Sequence, residues 1–333
     1  MTKKVLITGG SGFIGLHLTR HLLATEPETA ITIVDNFSRG KDDSDFAEIS
    51  SNPRVTLLRG DLTDNSFYTQ LDSDYEHVYH LAAVNGTKLF YTMPHEVLRI
   101  NMQSLMNMLD WHRTKNAAGK FCFTSSNEAY AGGLSAFNQL PIPTPEAVPL
   151  VIEDPYNQRW TYAATKLIGE CFVIHYAAQY NFRALIVRPH NFYGPRAGYD
   201  HVIPEMSGRI AAHTDPFPIF GVEETRTFCY ITDAVEAMSE LMRSSKTDGH
   251  PVETVHIGAS DEITMGGLAD LLFEIGGWRP TNIEIKESPA GSVMRRCADI
   301  SKIKSLVGWE PRTSLKDGLK KTYDWYIAHP RKL

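Results

Sequence analysis

Tyr162 and Lys166, in Trp160-Thr161-Tyr162-Ala163-Ala164-Thr165-Lys166, are the residues whose types and spacing most directly suggest chemistry. Four positions apart on a helix, they bring a phenol and an ammonium side by side. A free tyrosine, with a pKa of about 10, is no base at neutral pH, but a fixed neighbouring cation favours phenolate by ~1.4 kcal/mol per pKa unit gained. Alone the spacing is weak, because most such pairs are a half-buried aromatic beside a solvated lysine. The elements that would position the pair decide its meaning.

Lys3-Lys4-Val5-Leu6-Ile7-Thr8 reads as a short buried strand running into Gly9-Gly10-Ser11-Gly12-Phe13-Ile14-Gly15 and then a helix. Glycines at 9, 12 and 15 permit a tight turn, close backbone approach to a pyrophosphate and close helix-strand packing, with the helix N-terminus aimed at the negative charge. A second apolar run, Ala30-Ile31-Thr32-Ile33-Val34, ends in Asp35. An acid there accepts hydrogen bonds from both ribose hydroxyls and repels a 2′-phosphate, so the expected cofactor is NAD rather than NADP. Arg39 is the opposing signal; with Asp35 in place it is expected to face solvent or the adenine.

The 333-residue chain has ample length for one large or two modest domains, and its net charge of -6 offers no footprint for nucleic acid or an anionic membrane. Cys122, Cys171, Cys229 and Cys297 form no Cys-x-x-Cys, so no metal is expected and a reducing cytoplasm is the simplest home. No apolar run approaches a signal-peptide core or a transmembrane span. Apolar runs at 54–59, 76–81 and 120–124 read as strands of a parallel sheet, with a helix from Pro94 to about Lys115 between the last two. The residues ending these strands are Gly60-Asp61-Leu62, His80-Leu81-Ala82-Ala83 and Ser125-Ser126-Asn127-Glu128, where ligands of doubly wound sheets bind. Asp61 is placed to meet the adenine amino group or to cap a helix. Ala82 and Ala83 are small enough for backbone approach to the cofactor, or are packing alone.

With these segments, Asp35-Asn36, Arg188-Pro189-His190-Asn191-Phe192-Tyr193-Gly194-Pro195-Arg196, Arg226 to Asp233 and Arg295 to Ile300, the chain resembles extended short-chain dehydrogenase/reductases of the nucleotide-sugar epimerase/dehydratase group along nearly its whole length. The resemblance implies an α/β fold: a Rossmann doubly wound parallel sheet that carries NAD, with a smaller α/β C-terminal domain that grips a nucleoside diphosphate sugar. It implies that Tyr162 removes a sugar hydroxyl proton while NAD takes the hydride, that Lys166 holds the nicotinamide ribose and lowers the tyrosine pKa, and that Ser126 hydrogen-bonds the reacting oxygen. Asn127, Asn191, Arg226 and Arg296 fall at substrate positions; guanidinium groups suit a diphosphate because they clamp its oxygens bidentately. The family commonly dimerises through the helices that here span Pro94 to Lys115 and Trp160 to Tyr180.

Glu128 bears on the outcome. A 4-epimerase needs no extra carboxylate, whereas members that dehydrate, and those that decarboxylate a uronic acid, resemble this chain in having Glu two residues before the tyrosine matching Tyr130. Asn127 cannot donate a proton as an aspartic acid would, so the hexose 4,6-dehydratase type with an Asp-Glu pair is a poorer match. The expected outcome is dehydration or decarboxylation of a transient 4-keto sugar, with simple 4-epimerisation as the alternative and a non-catalytic dinucleotide sensor as a remote one. Ala131 stands where the family usually has glycine, and from Ala131 to Arg159 five prolines and little periodicity read as a long ordered loop bordering the sugar. The expected domains are discontinuous: 1–190 and 222–258 for NAD, 191–221 and 259–333 for the nucleotide sugar.

Overall fold

The computed structural model describes residues 3–137, 140–248, 252–288 and 292–331. The strands are β1 (Lys3–Thr8), β2 (Thr29–Asp35), β3 (Val55–Arg59), β4 (His77–His80), β5 (Lys120–Thr124) and β6 (Arg183–Pro189), then the short β7 (Phe192–Tyr193), β8 (Phe217–Phe220), β9 (Thr225–Arg226) and β10 (Cys229–Tyr230). After them come β11 (Glu253–Ile257), β12 (Ile263–Thr264), β13 (Ile283–Lys286) and β14 (Arg295–Arg296). The helices are α1 (Phe13–Thr25), α2 (Ser44–Ser50), α3 (Thr87–Thr92), α4 (Pro94–Lys115), α5 (Glu128–Phe137), α6 (Thr161–Tyr180), α7 (Val202–Ala211), α8 (Ile231–Arg243), α9 (Met265–Gly276), α10 (Ser301–Val307) and α11 (Leu315–Ala328).

Seven strands make one sheet in the order β11-β6-β5-β4-β1-β2-β3, every pairing parallel. Both faces are covered, which is why these strands read as continuous apolar runs instead of alternating ones. Successive residues enter opposite cores: Val5 and Ile7 of β1 pack with Leu16, Leu22 and Met238, while Leu6 packs with Leu105, Met108 and Val173. Helices α1 and α8 thus supply one core, and α4 and α6 the other. Chain order reverses between β1 and β4, so the crevice beyond the carboxyl ends of those two strands is the expected ligand site.

The helix expected from Pro94 is α4, with proline in its first turn, Glu96 near its positive end and His112, Arg113 and Lys115 near its negative end. Helix α6 carries Tyr162 and Lys166 and lies close on β5: a Cβ on Gly169 would sit 2.5 Å from the Phe123 ring. That close approach brings Lys166 to the end of β5.

One expectation fails. The stretch from Ala131 onward does not begin as a loop; residues 131–137 continue helix α5, which starts at Glu128. Gly132 and Gly133 conceal the helical pattern, and the reason for Gly132 is tertiary. A Cβ there would stand 2.3 Å from the Val151 carbonyl oxygen, so glycine lets the proline-rich segment lie directly on the helix. That segment is tied down: Thr144 N–H donates to the Cys297 carbonyl, the Asp299 N–H donates to the Thr144 carbonyl, and Arg188 donates to the Glu146 carbonyl. Ile142, Val148 and Leu150 pack with Tyr130, Leu134 and Val293.

Strands β7 and β10, β12, β9 and β14, and β13 and β8 form three small sheets apart from the large one. Among the described residues no helix is long and apolar enough to cross a membrane.

Candidate active site

At the carboxyl end of β1 the chain turns at Gly9, whose φ of +72° is one that L side chains rarely adopt and whose Cβ would lie 2.9 Å from the Ala82 backbone. A Cβ on Gly15 would lie 2.5 Å from the Gly9 carbonyl oxygen. Gly12 starts α1 without a capping side chain, leaving its first backbone N–H groups directed outward, and Phe13 and Ile14 are half-buried on the cleft wall. These features fit a dinucleotide: a cradle that side chains would fill, at a helix N-terminus suited to a pyrophosphate. Asp35 ends β2 at the same cleft; its Oδ2 accepts from the Ser11 N–H at 2.9 Å and its Oδ1 from the Phe37 N–H at 2.8 Å. Each oxygen keeps a lone pair for a ribose hydroxyl.

Asn36 is exposed beside it and closes a turn onto Ser38. Asp61 and Leu62 follow β3 on the cleft wall, where Asp61 accepts from Thr63 N–H and Oγ; it closes a turn and caps no helix, the cap of the short helix that follows being Asp64. Leu81, Ala82 and Ala83 line the floor after β4. Arg39 lies at the cleft with its guanidinium against Gly86.

Tyr162 and Lys166 face the same cleft. The Tyr162 ring stacks on Phe90 with centroids 5.6 Å apart, and Lys166 Nζ sits 5.4 Å from the Tyr162 ring centroid. The ammonium donates to the Thr124 carbonyl at 2.7 Å, and burial holds its pKa down at about 7 against the partial support of Glu170. The expected lowering of the Tyr162 pKa is not found in this arrangement: burial, and then the Glu128 carboxylate, push the phenol above its ordinary value. Lys166 directs its ammonium at the Thr124 carbonyl in this arrangement.

Ser126 lies at the foot of α5, where its Oγ accepts from the Glu128 N–H at 3.2 Å. Asn127 is buried, with its Nδ2 lacking a hydrogen-bond partner. Glu128 neither stands free nor caps backbone amides. Its Oε1 takes Arg296 Nη1 at 2.8 Å and its Oε2 faces Arg159 Nη1 at 3.5 Å. Burial alone would raise this carboxyl, but Arg296 and Arg159 outweigh it and the group sits below the usual carboxylate range. Arg226 lies behind them, bonded to Glu224 at 2.7 Å and pushed down to about 10 by burial and then by Arg296. The Nε of Arg296 is buried without a hydrogen-bond partner among the described residues. Asn191, with φ at +44°, donates to the carbonyl of Thr227, the residue after Arg226, at 2.7 Å.

Sequence reasoning passed over Arg159, three residues before Tyr162, because a lone arginine in a proline-rich stretch carries no periodic or spacing signal. It also passed over the buried triad in which Arg188 donates twice to Glu170 at 2.8 Å while Ser125 Oγ donates to the same carboxylate at 2.5 Å. Arg188 closes a strand and Glu170 follows Lys166 by four, a helical spacing that was open to inspection.

Comparison with known proteins agrees with this geometry. The profile of a family described as GDP-mannose 4,6 dehydratase matches residues 6–322. The chain is 31% identical to a UDP-N-acetyl-alpha-D-glucosaminuronate decarboxylase of Bacillus cytotoxicus, over 98% of each chain. It is 30% identical to the dTDP-D-glucose 4,6-dehydratase of Homo sapiens, over 97% of this chain and 90% of that one. A crystal structure of UDP-glucose 4-epimerase with UDP-glucose from Thermotoga maritima superposes with a TM-score of 0.83 at 28% identity, covering 98% of this chain and 99% of the other. A cleft at the sheet's switch point, a glycine cradle and a tyrosine-lysine pair at one end of it are thus accompanied by full-length similarity, and the chain belongs to the GDP-mannose 4,6 dehydratase family of extended short-chain dehydrogenase/reductases.

Proposed function

We propose that this enzyme oxidises C4 of a nucleotide-linked uronic acid with NAD and releases the C6 carboxyl group as carbon dioxide. The observation that carries the reading is the grip of Arg296 and Arg159 on Glu128, beside an Asn127 that has no proton to give. Dehydration needs a carboxylate basic enough to take the C5 proton and an acid to release the 6-hydroxyl. Glu128 is held ionised and weakly basic, and Asn127 supplies no acid. Decarboxylation needs neither: once C4 is a ketone, the C5–C6 electron pair moves toward O4 as carbon dioxide departs, and C5 then takes a proton. What it needs is cationic groups to bring a second carboxylate into place, and guanidinium forks suit that task.

When bound, NAD would accept the hydride from C4 and return it to C4 once carbon dioxide has left, so that the product is a nucleotide pentose and the cofactor is regenerated. Tyr162 takes the O4 proton, Ser126 hydrogen-bonds O4 as it becomes a carbonyl, and Lys166 holds the ribose next to them. Arg226 is assigned to the diphosphate and Asn191 to the loop that frames it, within a substrate unit formed by 191–221 and 259–333. The relatives from Bacillus cytotoxicus and Arabidopsis thaliana named as uronate decarboxylases support the choice. A second reading, 4-epimerisation, is favoured by the Thermotoga maritima structure and requires only Ser126, Tyr162 and Lys166. Incubation with a panel of nucleotide-linked hexoses and hexuronates separates them. Carbon dioxide from a hexuronate supports decarboxylation, and C4 inversion without loss of carbon supports the second reading.

Asp35 sets the cofactor. Asp35→Ala is expected to weaken NAD by roughly tenfold and to narrow its preference over NADP, since a charge that repels a 2′-phosphate is gone and Arg39 lies nearby. Unchanged dissociation constants for both nucleotides would remove Asp35 from the ribose. The scattered cysteines, with no Cys-x-x-Cys among them, are read as those of a protein of the reducing cytoplasm. The assembly is read as a homodimer through α4 and α6, where Leu98, Ile168 and Tyr180 lie exposed. Sedimentation is expected to give twice the chain mass, and a monomer at working concentrations would end that part of the reading.

A further inference from the structure

Arg196 is buried, has a left-handed backbone with φ at +71°, and has no part in the chemistry above. It follows Pro195 in the segment that leaves the large sheet, yet it reaches back to the cofactor cleft. Nη1 donates to the Ser11 carbonyl at 2.8 Å, Nη2 to the Lys41 carbonyl at 2.9 Å, and Nε and Nη2 each to an Asp43 oxygen at 3.0 Å. The Ser11 peptide belongs to the glycine turn, and its N–H is held by Asp35. One buried guanidinium therefore joins the pyrophosphate turn to the loop that follows Asp35, and holds both against its own segment.

That segment is pinned from its outer side as well. The Tyr326 hydroxyl donates to the Gly198 carbonyl, the Tyr199 hydroxyl donates to the His329 carbonyl at 2.7 Å, and Arg331 pairs with Asp200 at 2.9 Å. His17 of α1 donates to the Pro195 carbonyl at 3.0 Å. Ala197, Gly198 and His201 line the same cleft as Asp35 and Asp61. A residue with a Cβ keeps a left-handed backbone only where its surroundings hold it there, and here four hydrogen bonds do so.

We propose that Arg196 is a positioning residue that latches residues 195–201 over the adenosine end of the cleft, so that NAD leaves only after the Arg196 bonds to Ser11, Lys41 and Asp43 open. The inference rests on the reading of this cleft as an NAD site. It suits that chemistry, because a reaction that takes a hydride from C4 and returns it to the sugar has no need to release the nucleotide between turnovers. It also links the adenosine end to the C-terminal helix α11 through Tyr326.

The test is the dissociation rate of NAD from purified wild-type protein, Arg196→Lys and Asp43→Asn, with the thermal midpoint of each recorded. ADP-ribose, which lacks the nicotinamide, is measured alongside. Both variants are expected to release NAD and ADP-ribose at least about tenfold faster, by a common factor, in protein that melts cooperatively. If Arg196→Lys fails to fold, Asp43→Asn alone carries the result, since it removes one charge from the partner and leaves the arginine. Rates within twofold of wild type for both nucleotides in the folded variants would overturn the latch, as would a change for NAD without one for ADP-ribose. Wild-type protein that binds neither nucleotide would instead overturn the cofactor reading.

Discussion

Tyr162→Phe is expected to lower turnover by roughly 10³-fold while leaving NAD affinity within a few-fold of wild type. The stacked contact with Phe90 survives the change, so the loss belongs to the missing hydroxyl and not to the fold. Turnover of the wild type should rise with pH through neutrality, because the phenol acts only after losing its proton, and both burial and Glu128 oppose that loss. Lys166→Met should lose turnover to a similar degree, yet gain stability. The folded-state pKa of Lys166, about 7, lies below the ordinary 10.5, so between those values the unfolded chain binds the additional proton and stability rises with pH. Below about pH 7 the whole cost of burying the ammonium is present, on the order of a few kcal/mol at ~1.4 kcal/mol per unit. Thermal melts without added nucleotide should therefore place Lys166→Met several degrees above wild type at pH 6, with the gap closing toward pH 10. A lysine variant that is less stable at pH 6 would contradict the desolvation account.

Glu128→Gln should lower kcat and KM together on a uronate substrate. On the proposed reading the sugar carboxylate would face the same guanidinium groups as Glu128, and the repulsion between the two carboxylates would end as one leaves as neutral carbon dioxide. Removing the charge on Glu128 relieves the bound ground state more than the transition state, which is the kinetic pattern of lost ground-state strain. The expected fall in kcat is about 10²-fold, with KM several-fold lower. Arg296→Met acts in the other direction. It removes a charged partner at 2.8 Å from Glu128 and should raise the uronate KM by roughly 10² or more, because truncating one member of a desolvated charge pair costs about 2–5 kcal/mol. If Glu128 were instead the base of a dehydratase, Glu128→Gln would lower kcat on a neutral hexose and leave KM in place.

Much of this site was legible in the sequence, because its parts are local. The glycine turn, the acid ending the second strand and the tyrosine-lysine spacing each belong to one element, and strands β1 and β5 and helix α4 fall where their apolar runs begin and end. What stayed hidden depends on contacts between distant segments. Glu128 and Arg296 are separated by 168 positions, and nothing in either neighbourhood indicates that one clamps the other. Helix α5 was missed because Gly132 answers to the Val151 carbonyl and not to helix propensity. Burial likewise reversed the expected pull on Tyr162: desolvation acts on a phenol and an ammonium alike, and no spacing rule contains it.

The cation-framed Glu128 is read as the mark of a decarboxylase. The most direct test of that reading is a UDP-linked hexuronate carrying a carbon-13 label at C6, incubated with the purified enzyme and NAD. Labelled carbon dioxide and an unlabelled nucleotide pentose are expected, both lost in Tyr162→Phe. Label retained in a hexuronate inverted at C4, or turnover confined to neutral hexoses, would contradict that reading.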